Sequence, residues 1–147
     1  MKKLLYQHCL SLVENKIDRL KTAIGDLSEA AKNESKSSAG DKYETGLEML
    51  QQEREKYKVQ LRAVLLQQKT LANINPTVSK NTVELGSFVK TNHGTFFMSI
   101  GVGKVVLDDQ NYFVISLSSP IGQILKDKKA GEKAVFNGRT YVLEEVT

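Results

Sequence analysis

The sequence predicts an α+β protein, in which an antiparallel α-helical coiled-coil hairpin precedes a small β-rich domain. Two observations lead to this prediction. The spacing of apolar residues changes from a helical to an alternating pattern near Pro76, and a short polar segment divides the helical part in two. We therefore predict one domain over residues 1–75 and a second over residues 76–147.

The helical part carries two series of seam positions with alternating steps of three and four residues. Such spacing places one stripe of side chains against a partner helix, as in a coiled coil. The first series is Tyr6, Leu10, Val13, Ile17, Leu20, Ile24 and Leu27, and the second is Leu47, Leu50, Arg54, Tyr57, Leu61, Val64, Gln68 and Leu71.

A polar segment over residues 33–40 separates the two series and has no apolar residue large enough to fill the seam. A short connection between matched helices makes them antiparallel neighbours. The registers agree, because one constant index sum pairs Leu20 with Tyr57 and Val13 with Val64. We predict the tip of the hairpin at about residues 34–44, with the turn between Glu34 and Asp41.

The second part reads as strands joined by turns, because proline ends the helical pattern and alternation follows it. Asn137-Gly138 is a strong hairpin signal. One short helix interrupts the strands, with Ser119 as its N-cap, Pro120 at its first position, and Ile121, Ile124 and Leu125 as its buried face. The predicted strands cover residues 84–91, 94–100, 103–107, 112–117, 133–136 and 140–146.

Composition excludes several classes of protein. The chain of 147 residues has a formal net charge of +4 and no dense basic block. No stretch reaches the roughly 20 apolar residues of a membrane span, and the polar residues that follow Met1 do not form a secretory signal. Cys9 is the single cysteine, which argues against disulfides and favours the cytoplasm. We expect a monomer without a membrane partner.

Three features resemble the Gre family of bacterial transcript-cleavage factors. The order of a helical hairpin and a β-rich domain matches over the whole chain. Gly40-Asp41-Lys42-Tyr43-Glu44 is similar to the Gly-Asp-x-x-Glu tip of that family. Ser119-Pro120-Ile121-Gly122-Gln123-Ile124-Leu125, followed by Lys129-Ala130-Gly131-Glu132, is similar to the helix and turn of the family's second domain, which has an FKBP-like fold.

The resemblance implies a transcription elongation factor that binds RNA polymerase together with the nascent RNA and DNA. The hairpin would enter the secondary channel, and Asp41 and Glu44 would help to hold a Mg²⁺ ion shared with the polymerase, which cleaves backtracked RNA. The chain would therefore be an accessory factor, without enzymatic activity alone and without a tightly bound cofactor. The implied docking residues are Ser119, Pro120, Ile121, Ile124 and Leu125, and weaker RNA contacts are assigned to Lys36 and Lys42.

Several alternatives stay open. Asp41 and Glu44 also have the spacing of a capping box, in which both side chains satisfy backbone groups at the start of a helix. After its acidic pair the family continues Asn-Ala-Glu-Tyr, whereas this chain has Thr45-Gly46-Leu47-Glu48-Met49. The chain could therefore regulate polymerase through the same channel without cleavage, or be a coiled-coil adaptor with exposed apolar residues along its helices. A rival tip, Gly25-Asp26-Leu27-Ser28-Glu29, would leave helices of unequal length and is rejected.

Overall fold

The chain divides into two compact units whose boundaries do not follow the predicted domains. The computed structural model describes the backbone of residues 1–37 and 41–147, and the side chains of residues 1–34 and 44–147. The helical unit is Ser11–Gln68, and the sheet unit combines Met1–Leu10 with Lys69–Thr147. The division into domains 1–75 and 76–147 stays a prediction, because these units are defined by packing and not by position in the chain.

Two long helices form the hairpin, α1 over Lys2–Ser37 and α2 over Asp41–Ala72. Their contacts run in opposite order along the two helices, which establishes the antiparallel arrangement. Near the turn, the Glu34 side chain lies against Gly46. Further along, Arg54 Nη1 donates a hydrogen bond to Ser28 Oγ at 3.3 Å, and Leu20 and Tyr57 line the same groove.

The first turns of α1 belong to the sheet unit, where the buried stripe differs from the predicted seam. Leu5 and Cys9 are completely buried, whereas Tyr6 and Leu10, the predicted seam residues, are half-buried. Tyr6 donates its hydroxyl to the Leu71 carbonyl at 2.8 Å, and Leu71 is the α2 residue that the predicted register places opposite it. The sequence missed the burial of Leu5 and Cys9, because heptad spacing considers a single partner helix and this part of α1 also packs within the sheet unit.

The thiol of Cys9 illustrates this packing. Burial raises its pKa, and a contact with the Ser99 hydroxyl offsets part of the rise. Because Ser99 follows the second strand of the sheet, this contact joins the start of α1 to the sheet within one unit. A buried thiol with a raised pKa is a packing residue and not a reactive nucleophile.

Within the described residues, six strands form one sheet in the order β3-β4-β2-β1-β6-β5. Neighbouring strands are antiparallel except β2 and β4, which are parallel. A parallel pair needs a crossover connection, and β3 supplies it by forming the sheet edge beyond β4. The strands are β1 Phe88–Thr91, β2 Gly94–Met98, β3 Gly103–Leu107, β4 Gln110–Ile115, β5 Lys133–Phe136 and β6 Arg139–Val146.

The third helix, α3 over Pro120–Leu125, lies against one face of this sheet. Its Leu125 is fully buried in a core that also contains residues of β1, β2, β5 and β6. Ile121 and Ile124 are half-buried and pack on the same core. The buried members of that core are Val83, Val89, Phe96, Met98, Leu125, Ala134, Tyr141 and Leu143.

Local turn chemistry explains where strands differ from the predicted bounds. β1 begins four residues later than predicted, because residues 84–87 form a turn in which Ser87 N–H donates to the Glu84 carbonyl at 3.0 Å. β4 begins two residues earlier, because Asp108 and Asp109 both adopt positive φ and make a two-residue hairpin turn. The predicted Asn137-Gly138 turn is confirmed, again with positive φ at both residues.

Adjacent leucines at the start of α1 provide a test of its place in the sheet unit. Leu5 is completely buried, and Leu4 is 54% exposed. Leu5→Ala should lower the free energy of unfolding by about 2–5 kcal/mol, as expected for a cavity in a packed core. Leu4→Ala, the matched control, should change it by about 0.5 kcal/mol or less. Urea denaturation followed by circular dichroism measures both, and equal effects would contradict this packing.

Candidate functional sites at the hairpin turn and the short helix

The hairpin turn is the first candidate site. α1 ends at Ser37 and α2 begins at Asp41, so residues 38–40 connect the helices. The side chains of Asp41, Lys36 and Lys42 lie outside the described residues, and their predicted roles stay predictions. Glu44 is described, and its side chain is exposed in the first turn of α2. A carboxylate in this position also complements the positive end of the helix dipole.

A second carboxylate near the turn was not predicted from the sequence. The half-buried Glu34 side chain crosses to α2, where a Cβ on Gly46 would stand 2.6 Å from Glu34 Oε1. Gly46 is one of the residues in which this chain departs from the Gre pattern, and its lack of a side chain makes room for Glu34. The departure therefore has a packing consequence that only the structure reveals.

Glu44 is the predicted metal ligand whose side chain the structure describes. Among the residues the structure describes, no group of three or more His, Cys, Asp or Glu side chains could hold a metal ion. Glu44 nevertheless offers an exposed carboxylate, and Mg²⁺ prefers oxygen ligands and keeps several waters. Glu44 could therefore contribute one oxygen ligand to a Mg²⁺ ion that has further ligands from elsewhere.

The start of α3 is the second candidate site, and its hydrogen bonds confirm the predicted cap. Ser119 has extended backbone angles, and its Oγ accepts a hydrogen bond from Gly122 N–H at 3.1 Å. The same hydroxyl donates to the Ser116 carbonyl at 2.6 Å. Pro120 takes the first helical position, where its missing N–H costs nothing. One hydroxyl therefore links the loop before α3 to the helix itself.

Gly122 is essential to this local geometry, although the sequence gives no sign of it. A Cβ at Gly122 would overlap the Ser116 carbonyl oxygen and stand 2.8 Å from Ser119 Oγ. Both are fixed by the capping hydrogen bonds, so neither atom can withdraw cheaply. The glycine is thus required by a close approach of backbone and not by an unusual φ.

The predicted docking residues divide between core and surface. Leu125, the last residue of α3, is fully buried in the core, and Ile121 and Ile124 are half-buried against it. Pro120 is exposed, and Gln123 beside it is also exposed, with its amide donating to the Ser118 carbonyl at 3.2 Å. A partner at α3 would meet Pro120 and Gln123 first.

A group of lysines follows directly after α3. Residues 126–133 contain four lysines against one Asp and one Glu. Lys126 and Lys129 are exposed, and the turn between them and β5 is anchored by the Gly131 N–H, which donates to the Leu143 carbonyl at 2.7 Å. The exposed end of α3 is therefore a positively charged surface on a fixed backbone.

The rival tip is excluded by the course of α1. Asp26 and Glu29 are exposed residues in the middle of a continuous helix that ends only at Ser37. Leu27 is half-buried between them, as a seam residue should be.

Among the helices that the structure describes, none has the length and apolar character that a membrane span requires.

Comparison with known proteins gives a distant likeness. No protein-family model matches the chain, and no curated protein matches its sequence. Among solved structures, the crystal structure of GreA factor homolog 1 (Gfh1) of Thermus thermophilus is similar at 20% identity and a TM-score of 0.36, covering 97% of this chain and 94% of that chain. A structure of the transcription factor Gfh1 is similar at 21% identity and a TM-score of 0.35, covering 96% and 92% respectively. These values carry no argument about function.

The close approach at Gly122 leads to a stability prediction. Gly122→Ala should destabilise the sheet unit by about 1–3 kcal/mol, because the methyl group meets backbone that cannot move. Gly101→Ala is the matched control, since a Cβ there has no atom within 4 Å, and should have a much smaller effect. Thermal unfolding of the two variants checks this, and equal melting temperatures would show that the loop before α3 adapts freely.

Proposed function

We propose that this chain is a Gre-type transcription elongation factor, a cytoplasmic accessory protein that binds RNA polymerase. Its hairpin enters the secondary channel, and the acidic turn assists the polymerase in cleaving backtracked RNA. The observation that carries the proposal is the exposed Glu44 in the first turn of α2, at the end of an antiparallel hairpin and three residues after Asp41.

The role of the turn follows from its chemistry. Two-helix hairpins offer no cavity for catalysis at their turn, so carboxylates there act on something supplied by a partner. When bound, a shared Mg²⁺ stabilises charge on oxygen during displacement at phosphorus. Asp41 and Glu44 are three residues apart, a spacing that places residues on one side of a helix, and their carboxylates would present negative charge to such an ion. Glu44 is exposed and therefore free to do so without unfolding the helix.

The role of the sheet unit is docking. The exposed side of α3 carries Pro120 and Gln123, at a helix start fixed by the Ser119 cap. Lys126 and Lys129 follow on the anchored turn after the helix. A rigid, positively charged surface next to a small apolar one fits an acidic protein surface, which attracts it over a Debye length of about 8 Å at physiological salt. Docking there and insertion of the hairpin are separate interactions and are tested separately.

A second candidate, a secondary-channel regulator without cleavage activity, is favoured by one observation. Glu34 occupies the space that Gly46 leaves open, within the segment that departs from the Gre pattern. A hairpin with this packing would occupy the channel without recruiting an ion. This function requires polymerase binding but not Asp41 or Glu44.

The adaptor hypothesis also receives some support, because it predicts exposed apolar residues along the helices. Four such residues lie on α2, namely Met49, Val59, Leu65 and Leu66, with exposures from 40% to 66%. An adaptor of this kind would have no affinity for polymerase, which separates it from the first two hypotheses.

The acidic turn is tested by Asp41→Asn combined with Glu44→Gln. The amides keep shape and most capping capacity, so stability should fall by about 1 kcal/mol at most. Cleavage of backtracked RNA should slow by about 100-fold or more, because loss of metal-stabilised charge costs several kcal/mol and each 1.36 kcal/mol is tenfold in rate. Raising Mg²⁺ should partly rescue each single substitution.

The rival motif supplies the matched control for this experiment. Asp26→Asn combined with Glu29→Gln makes the same chemical change at the same spacing, in the middle of α1, and should leave cleavage unchanged. If the Asp41 and Glu44 variant stimulates cleavage as well as the parent, the two carboxylates are helix caps. If the parent binds polymerase without stimulating cleavage, the regulator is the correct function.

Docking is tested by reversing charge at the end of α3. Lys126→Glu combined with Lys129→Glu should weaken polymerase binding by about tenfold or more and reduce its dependence on salt. Lys90→Glu combined with Lys104→Glu, two exposed lysines on strands of the same unit, is the matched control and should bind normally. Titration with labelled polymerase measures both, and equal losses would mean that general positive charge, and not α3, carries docking.

A further inference from the structure

One side of the helical unit contains an open groove between α1 and α2. Its volume is about 610 Å³. Leu20, Ala23 and Val64 form an apolar floor, while Lys16 and Arg19 on α1 place two exposed cations at its edge. The remaining lining residues come from α2 and are Tyr57, Gln60, Ala63 and Gln67. The groove has no carboxylate in its lining, so it fits an apolar side chain accompanied by negative charge.

Nearer the turn, the same side of the hairpin carries an apolar side chain accompanied by negative charge. In a coiled coil, residues seven apart share one face. Asp26 is one heptad after Arg19, Glu53 is one heptad before Gln60, and Met49 is two heptads before Ala63. Met49 is 65% exposed, and Asp26 and Glu53 are exposed as well. An exposed apolar side chain and two carboxylates therefore lie on the groove face.

The two halves of the hairpin also differ in charge. Residues 25–53 contain seven Asp or Glu and three Lys or Arg, whereas residues 11–24 and 54–68 together contain three Asp or Glu and seven Lys or Arg. Among the described side chains, those of residues 1–34 and 44–147, no ion pair includes Lys16, Arg19, Asp26, Glu53 or Lys56. The half of the hairpin near the turn is acidic and the other half is basic. On the groove face, these acidic and basic residues are available to pair with a partner.

Two copies of this face match under a single two-fold axis across the hairpin. On α2, Glu53 and Lys56 lie symmetrically about a midpoint, and Met49 precedes Glu53 by the four positions that separate Gln60 from Lys56. Leu20 and Tyr57 line the same groove, so they relate positions on α1 to positions on α2. By this relation the midpoint of Arg19 and Asp26 on α1 lies opposite the midpoint of Glu53 and Lys56 on α2. One axis thus opposes Arg19 to the partner's Asp26, Lys56 to the partner's Glu53, and Met49 to the partner's Gln60.

We propose that this face binds a second copy of the chain, with the two hairpins antiparallel. Met49 of each copy enters the groove of the other beside Gln60, and the carboxylates of the turn half face the cations of the basic half. Such a contact is isologous, so it closes as a dimer and does not extend into a filament. The proposal replaces the expectation of a monomer with a concentration-dependent monomer and dimer equilibrium.

The dimer should depend on salt because its contacts are largely ionic and lie at the surface. Sedimentation velocity of the full chain, from about 1 μM to about 1 mM, should show a dimer at low salt and a shift to monomer as salt rises. Met49→Lys, which places a cation in a groove edged by cations, should abolish the dimer. A chain that stays monomeric at all concentrations in low salt overturns the proposal and leaves the groove to a different partner.

Charge reversal with complementation tests the geometry. Arg19→Glu and Asp26→Arg each turn two symmetry-related contacts repulsive, so each should raise the dimer Kd about tenfold or more. An equal mixture of these two variants restores both contacts and should form a mixed dimer. Lys21→Glu and Asp18→Arg are the matched controls, because these exposed residues lie on other sides of α1, and each should dimerise like the parent.

Failure of the mixture to associate, while the parent does, overturns the proposed face, as does equal weakening by the controls. Since these measurements contain no polymerase, their outcome is independent of the proposed function. The polymerase assays in turn use dilute protein, where the monomer predominates.

Discussion

The burial of Leu5, Cys9 and Leu71 in the same unit as the sheet is the constraint on which the rest of this structure depends. A β-rich domain of some 65 residues buries little surface alone, and a two-helix hairpin buries still less. Both ends of the hairpin helices therefore contribute to the core of the sheet unit. The Tyr6 hydrogen bond to Leu71 links those ends to each other, and the burial of Leu5 and Cys9 holds them in the sheet unit. A helix pair anchored at its base can leave its other end polar, and this polarity permits an acidic turn.

Local features of the fold could be predicted from the sequence, and non-local ones could not. The Asn137-Gly138 hairpin and the Ser119 cap are confirmed, because each is determined by a few adjacent residues. The parallel pairing of β2 with β4 was not predicted, since alternation indicates that a strand exists without naming its neighbour. The burial of Leu5 and Cys9 was missed for a related reason. Heptad spacing describes one partner helix, and the start of α1 also packs within the sheet unit.

The candidate sites show the same division. The Ser-Pro signal places α3 and its cap, yet the requirement for Gly122 depends on the Ser116 carbonyl, six residues earlier, coming within contact. Glu34 was missed because its neighbour Gly46 is on the other helix. The pair Asp41 and Glu44 is ambiguous in principle, since one spacing serves a capping box and a metal-recruiting turn alike. Only a measurement that separates charge from hydrogen bonding can distinguish these roles.

The two units differ in net charge and therefore respond differently to a charged partner. The helical unit contains ten basic and ten acidic residues, so the whole net charge of +4 belongs to the sheet unit, with four of its lysines in residues 126–133. Long-range attraction to an acidic partner therefore acts on the sheet unit, where α3 lies. The helical unit is neutral but polar, with its negative end at the turn, so an external field orients it without attracting it. The same internal separation makes two hairpins complementary when antiparallel. Docking on an acidic partner thus uses the positive charge of the sheet unit, whereas self-association uses the charges of the hairpin. The two proposed roles of the hairpin, insertion into the polymerase and self-association, both require its acidic half.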